Sequence, residues 1–170
     1  MKISSEDRGI YTLLILVREA VEVNVGNLGH HPFKRGFYTY TGSALGKNGM
    51  NLKHRIERHL SNNKKMHWHI DYLLCSKEAL IIGVIYSALG KELECIISKK
   101  IEDADFSEIV MEGFGSSDCR SDCRAHFHHF PSISLKTLVS NVFSIYSWQS
   151  HLKSFYISFQ HENCKRCSIC

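Results

Sequence analysis

The sequence predicts an α/β fold of the α+β kind, in which a small, mainly antiparallel sheet of three strands is flanked by helices. Short apolar, β-branched or alternating runs typical of strands occur at 10–17, 20–25 and 36–41. Apolar residues at helical spacing follow further along the chain. The length of 170 residues, with 44% hydrophobic residues and 2 Pro, fits about one globular domain.

The first two strands are expected to pair with each other in antiparallel fashion. Residues 10–17, IYTLLILV, are a continuous apolar run, whereas residues 20–25, AVEVNV, alternate between apolar and polar positions. Gly26, Gly29 and Pro32 then break the pattern.

The third predicted strand, 36–41, has two tyrosines on one face, Tyr38 and Tyr40, because side chains two positions apart point the same way. A loop rich in Gly, Ser and Asn follows at 42–49.

A helix is expected from Asn51, a good capping residue, to about Leu60. Arg55 and His59 lie four positions apart and project from one side of this helix. The apolar stripe consists of Leu52, Ile56 and Leu60.

Further elements follow in the second half. The patterns predict a buried strand at 79–86, a helix at 91–101, a short strand at 125–130 and a helix from Leu135 to Tyr146, while residues 66–74 favour neither helix nor strand. Because the pattern changes after Pro131, we expect one domain over 1–130 and a C-terminal helical extension with a Cys-rich tail over 131–170.

Composition and charge narrow the classes of protein. Lys and Arg number 21 against 17 acidic residues, a net charge of +4 that permits a polyanionic partner. No apolar run reaches the roughly 18 to 20 residues that cross a bilayer, and the first eight residues do not resemble a secretory signal. We therefore expect a cytoplasmic protein without a membrane partner. Seven Cys, an odd number, favour free thiols or metal ligands over a disulfide framework.

Three short motifs occur in a fixed order. They are Gly9-Ile10-Tyr11 in the first strand, Tyr40-Thr41-Gly42 in the third, and Arg55 with His59 on the next helix. This order resembles the GIY-YIG nuclease superfamily. The runs GFYTYTGSALG, HWHIDYLL, LEC and GFGSSDC are similar to an uncharacterised prokaryotic branch of it, sometimes joined to an endonuclease III repair enzyme. The resemblance covers residues 9–130.

The resemblance implies a metal-dependent endonuclease and gives each motif residue a role. Tyr11 would activate or position the attacking water, with Tyr40 beside it. Arg55 would grip the phosphate, since its planar fork contacts two oxygens at once. His59 would donate to the leaving group. Glu94 would hold one divalent cation, Mg²⁺, which prefers oxygen ligands.

Each of these residues also has a simpler explanation. Tyr11 and Tyr40, taken alone, are typical of half-buried strand aromatics. Arg55 and His59 fit a solvated helix face, and Glu94 fits a local surface ion pair. The ordered set of motifs favours the functional interpretation, because isolated tripeptides arise by chance whereas the series does not.

Two groups of Cys and His are candidate metal sites. Cys119, Cys123 and His126, with Cys95 of the LEC motif as a further candidate, offer the sulfur and imidazole ligands of structural Zn²⁺. Buried free thiols are the alternative. A second group closes the sequence: His161, Cys164, Cys167 and Cys170.

Dispersed basic residues and two histidines are candidates for nucleic-acid contact, although each alone fits a solvated surface. They are Lys34, Arg35, Lys53, Arg58, His67 and His69. The sequence therefore predicts a DNA endonuclease that recognises shape rather than base sequence, with DNA and a repair enzyme as partners. The alternatives are an inactive nucleic-acid-binding module of the same fold and a zinc-stabilised interaction domain.

Overall fold

Six strands form the main sheet of the computed structural model, which describes residues 3–4, 7–46, 51–88, 92–119, 121–147 and 154–159. Every neighbouring pair in this sheet is antiparallel, and the strand order is β6-β7-β4-β1-β5-β8. The strands are β1 (Gly9–Val17), β4 (Gly36–Ala44), β5 (Ala79–Ser87), β6 (Glu108–Ile109), β7 (Phe127–Phe130) and β8 (Ser154–Ser158). The fold is α+β, with a sheet larger than the three strands that the sequence predicts.

The second predicted strand pairs differently from the expectation. β2 (Val21–Asn24) forms a separate two-stranded sheet with β3 (His30–Phe33) and does not pair with β1. β1 is instead paired on both sides by β4 and β5. The cause is burial, because a run that is apolar on both faces fits the centre of a sheet, whereas the alternating β2 fits a sheet with one solvated face.

Helices cover both faces of the main sheet. On one face lie α1 (Leu52–Leu60) and α2 (His69–Leu74), with the β2–β3 hairpin. On the other lie α3 (Glu92–Glu102) and α4 (Leu135–Tyr146). Each face therefore has its own apolar core.

The start of α1 agrees with its sequence signal, but its buried stripe does not. Asn51 caps the helix by accepting a hydrogen bond from the backbone N–H of His54. Leu52 and Ile56 are buried as expected. At the end of the stripe Leu60 is 38% exposed and His59 only 2% exposed, so the helix turns a histidine, not a leucine, towards the interior.

Residues beyond 130 continue the same architecture. α4 packs on the sheet beside α3, and the hydroxyls of Tyr146 and Thr12 lie 2.9 Å apart. β8 then pairs with β5 at the sheet edge, so this segment holds a strand as well as the expected helix. The terminal group His161, Cys164, Cys167 and Cys170 lies outside the described residues. Among the residues described, no helix combines the length and apolar character needed to cross a bilayer.

Candidate functional site

A cleft of about 1010 Å³ opens at the end of the main sheet where β1 begins and β4 ends. Its walls come from these two strands, from α1, from the start of α2, from the first turn of α3 and from the loop between β6 and β7. Four of the five residues predicted to be catalytic line it: Tyr11, Tyr40, Arg55 and Glu94. His67 and His69 line it as well.

The fifth residue, His59, lies directly behind Tyr11. The Tyr11 hydroxyl Oη and His59 Nε2 are 2.7 Å apart, and the other ring nitrogen, Nδ1, is buried with no hydrogen-bond partner among the described residues. Burial is the main cause that lowers the pKa of His59, to about 3. His59 is therefore neutral near pH 7, and a neutral imidazole is a much weaker acid than the imidazolium that would suit the role implied by the resemblance, donation to the leaving group. It contacts the Tyr11 phenol instead.

Burial is also the main influence on the pKa values of the two tyrosines, Tyr11 and Tyr40. It is the largest cause that raises the pKa of Tyr11 well above its ordinary value, followed by the neighbouring Tyr40, although Arg55 acts in the opposite direction. The pKa of Tyr40 is raised for the same main reason. Both phenols are therefore protonated at neutral pH, and a free phenolate at Tyr11 is not the resting state.

The glycines of the first two motifs lie where no side chain fits. Gly42 is opposite Tyr11 in the β1–β4 register, and a Cβ there would lie 2.7 Å from Oη of Tyr11. A Cβ on Gly9 would overlap the carbonyl oxygen of Ser87. These glycines let β4 pass directly beneath the Tyr11 phenol and let β1 approach the chain at the end of β5.

Arg55 is held at the cleft by stacking on Trp68. Its guanidinium carbon Cζ lies 4.2 Å from the centroid of the indole ring, within the range of a cation–π contact. Arg58 contacts the same ring at 3.9 Å. Because Trp68 lines the cleft, the Arg55 charge is directed along its wall.

Arg58 has a structural role, whereas the sequence predicts nucleic-acid contact. Its Nη1 and Nη2 donate to the two carboxylate oxygens of Asp71 at 2.9 and 2.8 Å. Asp71 is fully buried and also accepts from the backbone N–H groups of His67 and Trp68. Burial raises the pKa of Asp71, but these hydrogen bonds outweigh it and leave the pKa below its ordinary value.

The other predicted basic contacts lie outside the cleft lining. Lys34 and Arg35 are exposed in the turn before β4, at the opposite end of that strand from Gly42. Lys53 lies 4.0 Å from Glu57 on α1. Of the predicted nucleic-acid contacts, only His67 and His69 lie in the cleft wall.

Glu94 lies next to His126. Oε1 of Glu94 is 3.3 Å from Nδ1 of His126. Burial lowers the pKa of His126, but the carboxylate beside it outweighs burial and leaves the pKa above its ordinary value. Glu94 is therefore engaged with an imidazole, while its side chain also faces the cleft.

Three cysteines and His126 form a group that can hold a metal ion. The sulfur atoms of Cys95, Cys119 and Cys123 and a nitrogen of His126 all lie within 4.8 Å of one another. Sγ of Cys95 is 3.3 Å from Sγ of Cys119 and 3.9 Å from Nε2 of His126. We name these four residues the cysteine–histidine cluster. It includes Cys95, the further candidate of the LEC motif.

The surroundings of Cys119 in the cluster favour its thiolate form. Burial raises the pKa of Cys119, but the backbone N–H groups of Cys123 and Ser121, together with the neighbouring thiols, lower it to about 7. Burial raises the pKa of Cys95 and of Cys123. Thiolate is the form that binds metal, so Cys119 offers the first anionic ligand.

The sequence of the chain matches the model of one protein family. The family described as the domain of unknown function DUF123 matches residues 10–148. The chain belongs to the DUF123 family. Searches among curated proteins and among solved structures found no match.

The DUF123 match includes every residue of the cleft and of the cysteine–histidine cluster described above. It also extends past residue 130, the predicted domain boundary, and across α4. In this DUF123 chain, α4 and the cleft therefore lie within one family match.

Three residues of the DUF123 site are absent from the sequence prediction. The ring of Trp68 stacks against the guanidiniums of Arg55 and Arg58, and Asp71 accepts hydrogen bonds from Arg58. Asp118 is a second carboxylate in the cleft wall. Asp71 lies three positions after the helix cap, but that cap is Trp68, which is not a residue type that the capping-box pattern recognises. Asp118 lies in the GFGSSDC run that supports the resemblance, but the resemblance assigns it no role.

Proposed function

We propose that this chain is a metal-dependent endonuclease of the GIY-YIG kind, which hydrolyses DNA phosphodiester bonds. The observation that carries the proposal is that Tyr11, Tyr40, Arg55 and Glu94, far apart in sequence, line one cleft. A cleft with phenols, a guanidinium and carboxylates has the groups that phosphodiester hydrolysis requires.

Arg55 binds the scissile phosphate in this proposal. Its charge is permanent, and stacking on Trp68 restricts its side chain before the substrate arrives. A preorganised cation stabilises the extra negative charge of the pentavalent transition state, because little rearrangement is needed at the moment of reaction.

Tyr11 and His59 accept the proton of the attacking water in two linked transfers. A phenol is a stronger acid than a neutral imidazole, so we assign the shared hydrogen to Tyr11, with His59 Nε2 as acceptor. Lone pairs of Oη are then free to accept from water. As the water oxygen attacks phosphorus, its proton passes to Oη, and the Tyr11 proton passes to Nε2. The P–O bond to the leaving nucleoside oxygen breaks in the same step, and this oxygen takes its proton from solvent water in the open cleft. Asp71 favours the positive charge that reaches His59, whereas burial and the nearby cations oppose it, so the charge on His59 is transient.

We propose one hard divalent cation, Mg²⁺, at the two carboxylates of the cleft. Glu94 and Asp118 both line the cleft, and carboxylate oxygens are the ligands that Mg²⁺ prefers. These two residues would hold the ion, which when bound would neutralise charge on the phosphate oxygens.

DNA of unusual shape is the proposed substrate, and a DNA-repair enzyme the proposed partner. The cleft wall has His67, His69 and Arg55, which suit sugar and phosphate contacts that carry no base information. Selection by a branch, nick or bend fits such a surface better than selection by sequence.

A second ion is proposed for the cysteine–histidine cluster. Three thiols and one imidazole form the Cys₃His set of structural Zn²⁺ sites. A tetrahedral site with Zn–S bonds of about 2.3 Å has S···S edges of about 3.8 Å. The ligand atoms already lie within 4.8 Å of one another, so small movements close the shell.

Cleavage of end-labelled DNA tests the nuclease proposal. Purified protein with Mg²⁺ should cut branched or nicked duplexes faster than a linear duplex. Arg55→Ala should lower the single-turnover rate about 100-fold or more. The matched control is Arg18→Ala, since Arg18 is half exposed and pairs with Glu78 outside the cleft lining.

Two outcomes would contradict the proposal. Cleavage that survives Arg55→Ala in a clean preparation would show that the nuclease is not this cleft. Salt-sensitive DNA binding without cleavage, across these substrates and with Mg²⁺ or Mn²⁺, would favour the inactive binding module.

A further inference from the structure

The first turn of α3 holds two consecutive side chains that contact opposite sides of one imidazole. Cys95 Sγ lies 3.9 Å from Nε2 of His126, and Glu94 Oε1 lies 3.3 Å from Nδ1 of the same ring. The ring is therefore bracketed by adjacent residues. Nε2 faces the sulfur atoms, and Nδ1 faces a carboxylate.

This arrangement is close to the outer shell of a metal-bound histidine. The carboxylate is at ion-pair distance from Nδ1 of His126, and a small rotation would complete the hydrogen bond, because Nδ1 has no hydrogen-bond partner among the described residues. A ligand imidazole commonly donates its second N–H to a carboxylate, which fixes the tautomer and orients the lone pair on the other nitrogen. His126 is 3% exposed and the Glu94 side chain 15% exposed, so water competes little for Nδ1.

Glu94 also belongs to the cleft wall. Cys95, Cys119 and His126 of the cysteine–histidine cluster line the same cleft, so Glu94 meets the cluster at the cleft wall. Of the described cleft-lining residues, Glu94 is the carboxylate that lies within ion-pair distance of a cluster ligand.

We propose that Glu94 is the positioning residue of the zinc centre, which orients His126 towards the metal and couples metal loading to the wall of the cleft. This inference rests on the zinc centre proposed above and does not depend on cleavage of DNA. It gives the LEC motif a physical explanation, because adjacent Glu and Cys supply an outer and an inner contact to the same histidine.

Zinc affinity measured without DNA tests the inference. Competition with a chromophoric chelator gives the Kd for Zn²⁺ of the wild type, Glu94→Ala and Glu94→Gln. Loss of an outer-shell partner typically weakens metal binding 10- to 100-fold, so we expect at least a tenfold rise in Kd for Glu94→Ala. Glu94→Gln keeps an acceptor oxygen without the charge and should fall between the other two.

Glu108→Ala is the matched control. Oε2 of Glu108 lies 3.4 Å from Nδ1 of His129, a second carboxylate–imidazole pair that is not part of the cluster. Its zinc Kd should stay within about twofold of the wild type, because outer-shell effects require a ligand histidine.

A spectroscopic measurement separates orientation of His126 from general loosening. In the Co²⁺-substituted protein, Glu94→Ala should shift the d–d bands of the tetrahedral site, whereas Glu108→Ala should leave them unchanged. Equal zinc affinity and equal spectra for Glu94→Ala and wild type would overturn the inference. A wild type that binds no stoichiometric Zn²⁺ would overturn the zinc centre and the inference together, and would leave the nuclease proposal standing.

Discussion

The Tyr11 hydroxyl lies 2.7 Å from Nε2 of His59, and each side chain is only 2% exposed. Tyr11 comes from the central strand and His59 from the last turn of α1, so this bond ties the helix to the sheet at the base of the cleft. The motif tyrosine and the helix histidine therefore act as one unit, and the nearest partner of the phenol is a neutral base.

Tyr11→Phe should separate the chemistry from the packing. The ring still fills its place, but no oxygen remains to accept the water proton, so the single-turnover cleavage rate should fall about 100-fold or more. The Kd for DNA should change little. Tyr156→Phe is the control, because Tyr156 is on β8 and 37% exposed. Unchanged cleavage by Tyr11→Phe would remove Tyr11 from the mechanism.

Arg58→Ala should destabilise the fold. Asp71, which is fully buried, would lose its bidentate partner, and a buried unpaired carboxylate costs about 3 to 5 kcal/mol. Arg18→Ala removes a more exposed pair with Glu78 and should cost at most about 1 kcal/mol. Urea unfolding measures both. Equal losses would mean that the Arg58–Asp71 pair contributes no more than a surface ion pair.

Gly42→Ala should displace the Tyr11 phenol. The new Cβ would lie 2.7 Å from Oη, so the hydroxyl must move away from His59. We expect cleavage to fall and unfolding to become easier by about 1 to 3 kcal/mol. The double variant with Tyr11→Phe should lose less than the sum of the single losses, because the atom that Cβ meets first is already absent. Strict additivity would argue against this contact.

Acid should unfold the protein through buried neutral histidines. Burial is the main cause that lowers the pKa of His128 to about 4 and that of His59 to about 3. An unfolded histidine has a pKa of about 6.5. The unfolded chain therefore binds more protons than the folded chain below pH 6.5. Stability is lost as the pH falls from 6.5 towards the pKa values of the folded state. Above pH 6.5 these two residues do not change stability with pH.

His128→Leu isolates this effect. His128 is fully buried, and neither ring nitrogen has a hydrogen-bond partner within the described part of the chain. The free energy of unfolding of His128→Leu should fall less steeply than that of the wild type as the pH is lowered below 6.5. At pH 8 the variant should be no less stable than the wild type. His30→Leu, at an exposed position, should leave the profile unchanged. An acid limb as steep as that of the wild type would exclude His128 as a cause.

Removal of zinc should lower the melting temperature. A ligand that binds only the folded state at about 100 times its Kd contributes about 2.7 kcal/mol, which is about 5 to 10 °C for a chain of this size. Cys119→Ser should melt at the chelated temperature whether or not zinc is present. Cys75→Ser, outside the cluster, should keep the zinc response. A melting temperature that ignores chelator would contradict the zinc centre.

Long regular elements were predictable, as was the short strand β7, whereas other short elements were not. The apolar run of β1 and the Asn51 cap of α1 have local signals strong enough to place both within about one residue. β6 has 2 residues, too few for a period to show, and β8 lies in a segment that was expected to be helical, so the sheet is larger than expected. The pairing of β2 with β3 was missed because β3 has only 4 residues and contains Pro32, which is read as a break in a strand pattern.

In the site, the residues that line the cleft were easier to predict than the burial and contacts of individual side chains. Tyr11, Arg55 and Glu94 were selected by residue type and order, and the structure brings them to one cleft. Burial of His59 was not predictable, because the helical period assigns Leu60 to the same stripe and apolar residues normally take precedence. Capture of Arg58 by Asp71, in the next helix, is a tertiary contact.

The indole of Trp68 lies against the two guanidiniums and in the cleft wall, and the chain has one other tryptophan, Trp148. With Trp148 replaced by Phe, the tryptophan emission of the protein would come from Trp68 alone. Its intensity and wavelength depend on the charges beside the ring. A nucleic acid that draws Arg55 away would therefore change the light emitted, and occupancy of the cleft could be followed in real time without any attached dye.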